Sequence, residues 1–258
     1  MDDFILPSSL KMLSNLLYKH FNKKTVILID AYDVPLKIAF QNGYHREMVN
    51  LIGHLFGTAL NANDSLEFAI LTGVLKLSKQ ITSVCLSNIR IVSHNDIRFE
   101  DDFGFTDKEV EKILSDYHFE DRLQEVKEFS GGYHFGNVEI FCPQYVENHM
   151  EHLSLNERNK LYVHHETDLL GRFVNTKNRT TRYEIGQLIA GEVIEKHIRL
   201  DLTYDEIGDY IGDLWSILFT IGYLTHIGKN EFGAYKIVIP NRKIKQIFQS
   251  EIHECFRN

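Results

Sequence analysis

The chain has 258 residues, 43% of them hydrophobic, and a formal net charge of -8. That length allows one large domain or two modest ones with a full core, and the acidic balance excludes a strongly basic nucleic-acid surface spread over the whole chain. Cys85, Cys142 and Cys255 are widely spaced, form no zinc pattern and suit a reducing compartment. No apolar run reaches membrane-spanning length, and Met1-Asp2-Asp3 is acidic rather than signal-like. The expectation is a cytoplasmic protein with no membrane partner.

Residues 8–22 read as an amphipathic helix, capped by Ser8 or Ser9, with Leu10, Leu13, Leu16, Leu17 and Phe21 at helical spacing. Val26-Ile27-Leu28-Ile29 then runs into Asp30. A continuous apolar run suits a strand buried on both faces of a parallel sheet, and Pro35 forbids further ladder pairing. A carboxylate at the carboxyl end of such a strand sits where open α/β sheets place their ligands. The other reading is a strand that simply ends in a capping Asp. Val34 to Phe40 suits a short helical turn, and His45 to Asn61 a helix with Met48, Leu51, Ile52, Leu55 and Phe56 on one face. Leu66 to Val74 is a second buried strand, ended by Thr72-Gly73.

Ser87 to Val92 reads as a third strand. Thr106 and Glu109 form a capping box before a helix with Val110, Ile113 and Leu114 on its apolar stripe. A helix over 120–129, a glycine-rich loop at Ser130 to Gly136, a brief strand at 138–143 and a helix over 144–153 follow. From 157 to 196 the pattern is helical. The His164-His165 pair is a poor metal site there, because adjacent residues on a helix do not share a face. In the last third, 198–202 alternates like a strand and 209–223 is helical. A hairpin turns at Gly228-Lys229-Asn230, and 244–256 is a closing helix. Helices followed by a two-strand wing are winged-helix-like. Arg242, Lys243 and Lys245 are basic, but Glu251 and Glu254 follow, which favours packing over DNA binding.

The segment Ile27-Leu28-Ile29-Asp30-Ala31-Tyr32-Asp33-Val34-Pro35-Leu36 resembles the L-I-D-E-Y-D-x-P-L signature of the bacterial AAA-ATPase-like family. Members of that family usually carry a PD-(D/E)XK nuclease domain behind the ATPase-like part. Leu71, Thr72, Gly73, Val74, Lys76, Ser78 and Lys79 resemble the family's L-T-G-V-x-R/K-x-S-K segment. Residues 87–92 resemble L-N-N-L-K-V-Y, and 129–136 resemble W-Y-D-G-Y-x-F-G. The resemblance implies that Asp30 holds Mg²⁺, that Thr72 senses the γ-phosphate, and that Asp33 and Lys76 lie at the nucleotide. It also brings departures. Ala31 stands where the family has the Glu that polarises the attacking water, and Gly131 where it has Asp. Cys142-Pro143-Gln144 replaces N-P-W.

The phosphate-binding loop G-x-x-x-x-G-K-[ST] is absent. The nearest string, Gly222 to Asn230, has one residue too many between its glycines and lies in an expected hairpin. The resemblance places the strand preceding that loop between the Walker B strand and the sensor strand, so the chain reads as truncated at its N-terminus. The gap would be filled by direct pairing of the two strands, by another chain or by a lost segment.

The expected fold is α/β: an incomplete P-loop-NTPase-like parallel sheet over 1–103, a helical lid over 104–195 and a winged-helix-like α+β segment over 196–258. Its expected function is a degenerate AAA-ATPase-like module without ATP hydrolysis of its own, acting as a binding or scaffold protein. The alternative is an ATP- and Mg²⁺-binding subunit completed by a phosphate loop from a partner chain, with Asp33 replacing the missing base. A further alternative is a winged-helix DNA-binding protein. The expected partner is a protein that supplies the missing strand or the nuclease domain.

Overall fold

The computed structural model describes residues 5–74, 76, 90–92, 99–136, 138–155, 179–203 and 214–257. Ser87 to Ile89, Ser78, Lys79 and the His164-His165 pair lie outside the described residues. The chain divides into two compact units, Met1–Ile91 with Arg199–Tyr210, and Val92–Ile198 with Ile211–Asn258. No helix among the described residues is long and apolar enough to cross a membrane.

The first unit opens with a 3-10 turn, Leu6–Ser8, whose Pro7 suits a helix start, and continues as α1 (Ser9–Phe21). Asn22 ends α1 in the left-handed conformation, satisfying a terminal carbonyl with its N–H. Strand β1 (Thr25–Ile29) follows, then α2 (Val34–Asn42), α3 (His45–Leu60) and β2 (Leu66–Leu71). Gly43, also left-handed, separates the two helices. The core lies between α2, α3 and one face of β1, built from Leu36, Ala39, Val49, Ile52, Phe56 and Ile27.

Strands β1 and β2 pair directly and in parallel, Ile27 opposite Ala69 and Ile29 opposite Leu71. No intervening strand separates them, so of the three ways the expected gap could be filled, direct pairing of the two strands is the one found. Backbone hydrogen bonding between the two satisfies the groups that the gap would have left unpaired.

Two expectations fail in the same region. Strand β1 is not buried on both faces: Val26 and Leu28 point outward, Leu28 being 70% exposed, beside the exposed Phe68 and Ile70 of β2. Because side chains alternate along a strand, these four residues share one face. The apolar stripe of α1 is also outward. Leu13, Leu16, Leu17 and Phe21 are exposed, and the buried residue of the helix is Ser14. What holds α1 is polar. Asn63 Nδ2 donates to Ser14 Oγ at 2.9 Å and to the Ala59 carbonyl at 2.9 Å, while its Oδ1 accepts from Ser65 N at 3.2 Å. Lys11 Nζ reaches the Ala62 carbonyl at 3.0 Å, and Thr58 Oγ1 donates to the Pro7 carbonyl at 2.6 Å.

The second unit contains α4 (Asp107–Asp116), a 3-10 turn Glu120–Arg122, α5 (Leu123–Ser130), the hairpin β3 (Tyr133–Phe135) and β4 (Val138–Ile140), and α6 (Pro143–Leu155). The capping box at the start of α4 forms as expected. Glu109 Oε2 accepts from Thr106 N and from Thr106 Oγ1, each at 2.8 Å, and these bonds hold its carboxyl below the usual range. Val110, Leu114, Val126, Phe141, Val146 and Met150 form the core beneath it.

The unit continues with α7 (Arg179–Ala190), β5 (Ile194–Lys196), α8 (Leu214–Thr220), β6 (Thr225–Lys229), β7 (Tyr235–Val238) and α9 (Arg242–Arg257). The three strands form an antiparallel sheet in the order β5-β7-β6. The expected helix to 196 stops at Ala190, where Gly191 takes a positive φ of 89°. The strand expected at 198–202 lies earlier, at Ile194–Lys196, opposite Tyr235 to Ile237. Lys243 is 4% exposed, its Nζ 6.0 Å from the Phe129 ring centroid, so it does not extend an outward basic patch. Burial lowers the pKa of its ammonium.

His226 of β6 stacks on Phe219 and lies edge-on to Tyr235. Burial first, then His134 and Lys229, hold its imidazole below the usual 6.5. Protonation is therefore disfavoured in the folded state. Stability on this account is full above pH 6.5 and drains as pH falls through the lowered pKa. The stability gap between wild type and His226→Gln, followed by thermal melts across pH, is expected to shrink in that acidic window. Asn63→Ala is expected to cost about 2–3 kcal/mol in urea denaturation, since it leaves several buried groups unpaired at once.

Candidate functional site

The residues at the ends of β1 and β2 meet because the strands are parallel and in register. Ile29 pairs with Leu71, so the next residues, Asp30 and Thr72, leave the same edge of the sheet side by side. Thr72 Oγ1 donates to Asp30 Oδ1 and accepts from Ala31 N at 3.1 Å. Backbone bonds reinforce the alignment, from Thr72 N to the Ile29 carbonyl at 2.9 Å and from Tyr32 N to the Thr72 carbonyl at 2.9 Å. Asp30 is exposed at this rim. An exposed carboxylate beside a hydroxyl suits a hard cation that keeps most of its own water, as Mg²⁺ does.

Ala31 follows Asp30 with a φ of 50°, in the left-handed region. A residue with a Cβ adopts that conformation at a cost of about 1–2 kcal/mol. Its methyl group neither accepts a proton nor orients water. The turn is completed by Val34 N, which donates to the Ala31 carbonyl at 3.1 Å and leads into α2.

Asp33 points inward. It is 3% exposed, and its Oδ2 accepts from Val74 N at 3.1 Å. The carboxylate therefore ties the loop after β1 to the loop after β2. Gly73 makes this close approach feasible: a Cβ there would lie 2.7 Å from the Tyr32 ring and 3.0 Å from Asp33 Oδ1. Lys76 stands apart from the Asp30–Thr72 pair among the described contacts. It is half-buried, and its backbone bridges to Thr203 in parallel fashion.

Sequence reasoning thus nominated Asp30, Asp33, Thr72 and Lys76, of which the first three converge. It missed Tyr32 and Gly73 as parts of the same loop pair. The Thr-Gly ending of β2 is the available signal for Gly73, since a glycine beside a strand end marks a close approach of backbone. Among the described residues, no group of three or more His, Cys, Asp or Glu side chains is arranged to hold a metal ion.

The glycine-rich loop belongs to the second unit and directs its N–H groups inward. Gly131 N donates to the Lys127 carbonyl at 3.0 Å, Gly132 N to Glu139 Oε1 at 3.1 Å, and His134 N to Thr225 Oγ1 at 2.9 Å. These bonds leave those N–H groups engaged within the protein, so the loop does not form a phosphate cradle. At Gly131, an added Cβ would meet the Lys127 carbonyl at 2.9 Å and the Phe141 ring at 3.0 Å. The Asp that the family signature has at this position would not fit here without displacing Phe141.

Comparison with protein families matches residues 3–83 to the AAA-ATPase-like family, described as "Predicted AAA-ATPase". The match covers both strands and the whole Asp30–Thr72 rim, and it supports the family for this segment. Neither the curated proteins nor the solved structures give a match.

Asp33 and Asp30 are expected to respond differently to truncation. Asp33→Ala leaves the Val74 N–H unpaired and should cost about 2–3 kcal/mol by urea denaturation. Asp30→Ala, at an exposed position, should stay within about 1 kcal/mol of wild type. Equal losses at the two positions would contradict this division of labour.

Proposed function

We propose, with residues 3–83 as an AAA-ATPase-like segment, that this protein is a degenerate ATPase module. It has no ATP hydrolysis of its own and works as a binding or scaffold component. One observation carries the reading. The residue beside the metal-type acid Asp30 is Ala31, held in a left-handed turn with only a methyl group to offer. Phosphoryl transfer to water depends on a group that orients the nucleophile and on a cradle for the phosphates. The glycine-rich loop at 130–136 has N–H groups engaged internally at Gly131, Gly132 and His134.

A second reading keeps Asp30 and Thr72 as half of a nucleotide site that a partner chain completes. It draws support from the exposed face formed by Val26, Leu28, Phe68 and Ile70. Apolar side chains clustered on one sheet face mark a surface built to be covered. The occupant under this reading is the segment of the partner that carries the phosphate loop. Asp30 then holds Mg²⁺, and Thr72 or Lys76 meets the γ-phosphate.

The remaining parts take supporting roles. Residues 104–195 act as the lid. The segment over 196–258 is winged-helix-like, a reading favoured by the strand order β5-β7-β6. The buried position of Lys243 favours packing over DNA contact for this segment.

Calorimetric titration with ATP and Mg²⁺ tests the proposal. The expected result is no binding tighter than about 1 mM and no phosphate release. Micromolar affinity that disappears in Asp30→Ala would overturn the scaffold reading in favour of the completed site.

A further inference from the structure

The second unit holds a cavity of about 360 Å³ that the ATPase reading does not use. Its volume falls in the range of small-molecule sites. Tyr133, Phe135, Phe141, Tyr145, Phe219 and Tyr223 all line it, and none of the lining residues is Asp, Glu, Lys or Arg. Such a wall accepts a flat, apolar ring and disfavours a buried ionic group.

The wall is polar in one respect. The phenols of Tyr133, Tyr145 and Tyr223 lie close enough to influence one another electrostatically, and the Asn241 side chain bonds the Tyr133 hydroxyl. His134 also lines the cavity, and its Nδ1 is buried with no hydrogen-bond partner. That nitrogen is closed to the cavity, so the polar partners within it are the phenols, which suit a ring bearing a hydroxyl.

The mouth has a charge. Phe103 and Pro143 line the cavity and also a shallow depression beside it, and Asp101, Asp102 and Glu109 line that depression. Glu109 is engaged by the Thr106 cap, whereas Asp101 and Asp102 are exposed. Phe103 is 49% exposed and lies edge-on to Phe135, with ring centroids 6.4 Å apart, between the apolar interior and the acidic rim. Gln144, exposed at the mouth, stands where the related signature has Trp, so the entrance is less filled here than that sequence pattern would make it.

We propose that this cavity binds a small aromatic amine, with its hydroxylated ring among the phenols and its ammonium group over Asp101 and Asp102. The site is independent of the nucleotide rim and stands or falls separately from it.

The test is a charge series on one ring, titrated into the full chain by calorimetry and ligand-observed NMR. Tyramine, p-cresol and p-hydroxyphenylacetate serve as the cationic, neutral and anionic probes. Tyramine is expected to bind roughly fivefold more tightly than p-cresol, and p-hydroxyphenylacetate more weakly than either. Raising the salt to about 0.5 M should narrow the spread. Asp101→Asn with Asp102→Asn should bring tyramine to within about twofold of p-cresol without changing p-cresol itself. Gln144→Trp should weaken all three, and Gln144→Lys should weaken tyramine most. Both sit at an exposed position, and a thermal melt checks that each variant is folded. Absence of saturable binding by tyramine and p-cresol alike overturns the site, as does binding that neither Gln144 variant alters. Equal affinity across the charge series overturns the assignment of the ammonium to the acidic rim.

Discussion

The first unit depends on one pairing, the parallel register that sets Ile29 opposite Leu71. From it follow the adjacency of Asp30 and Thr72, the hydroxyl–carboxylate bond between them, and the reach of Asp33 to Val74 N. A shift of one residue would move every side chain to the opposite face of the sheet. It would carry Ile27 out of the core and separate the two polar residues. The apolar packing that fixes the register therefore also builds the rim. The buried Asp33 carboxylate then fixes the two loops to each other, where the strands alone would leave their ends to fray.

Three neighbouring positions divide the work in that rim. Asp30 is outward and available to solvent chemistry. Asp33 is inward and engaged with backbone. Ala31 between them has no polar function, and its left-handed φ turns the chain from the strand toward α2. A carboxylate and a hydroxyl thus leave the two strand ends side by side, with a methyl group following the carboxylate. Among the described residues, the outer sheet face is apolar and exposed, as is the stripe on α1.

The second unit is organised by a different constraint, the close approach of backbone around Gly131 and Gly132. Asn241 Nδ2 donates to the Gly131 carbonyl at 2.8 Å and its Oδ1 caps α9 through Ile244 N at 3.0 Å. The hairpin β3–β4 is thereby fixed to the start of the closing helix, and the aromatic side chains around it enclose the cavity. Glycine serves here for lack of space, at Gly131, and for positive φ, at Gly132 and Gly136. Neither use requires a phosphate.

Local chemistry made much of this legible in the sequence. The strand ending at Ile29, the helix over His45–Leu60 and the Thr106–Glu109 cap follow from periodicity and capping, as does the hairpin of the last third from its turn residues, although it turns at Asn230–Gly233 and keeps Gly228 and Lys229 within β6. The pairing of Asp30 with Thr72 was approachable because a motif named both ends. What the sequence could not determine was which apolar residues would be covered. Val26 and Leu28 read the same as Ile27 and Ile29 in one unbroken apolar run, and the Leu13–Phe21 stripe reads like any core helix. Burial is a property of neighbours brought from elsewhere in the chain, and so is the inward turn of Asp33, which needs Val74 from 41 residues away. Only the tertiary structure decided these, because the energy that separates a covered side chain from a bare one, or a latch from a ligand, comes from contacts that no local pattern encodes.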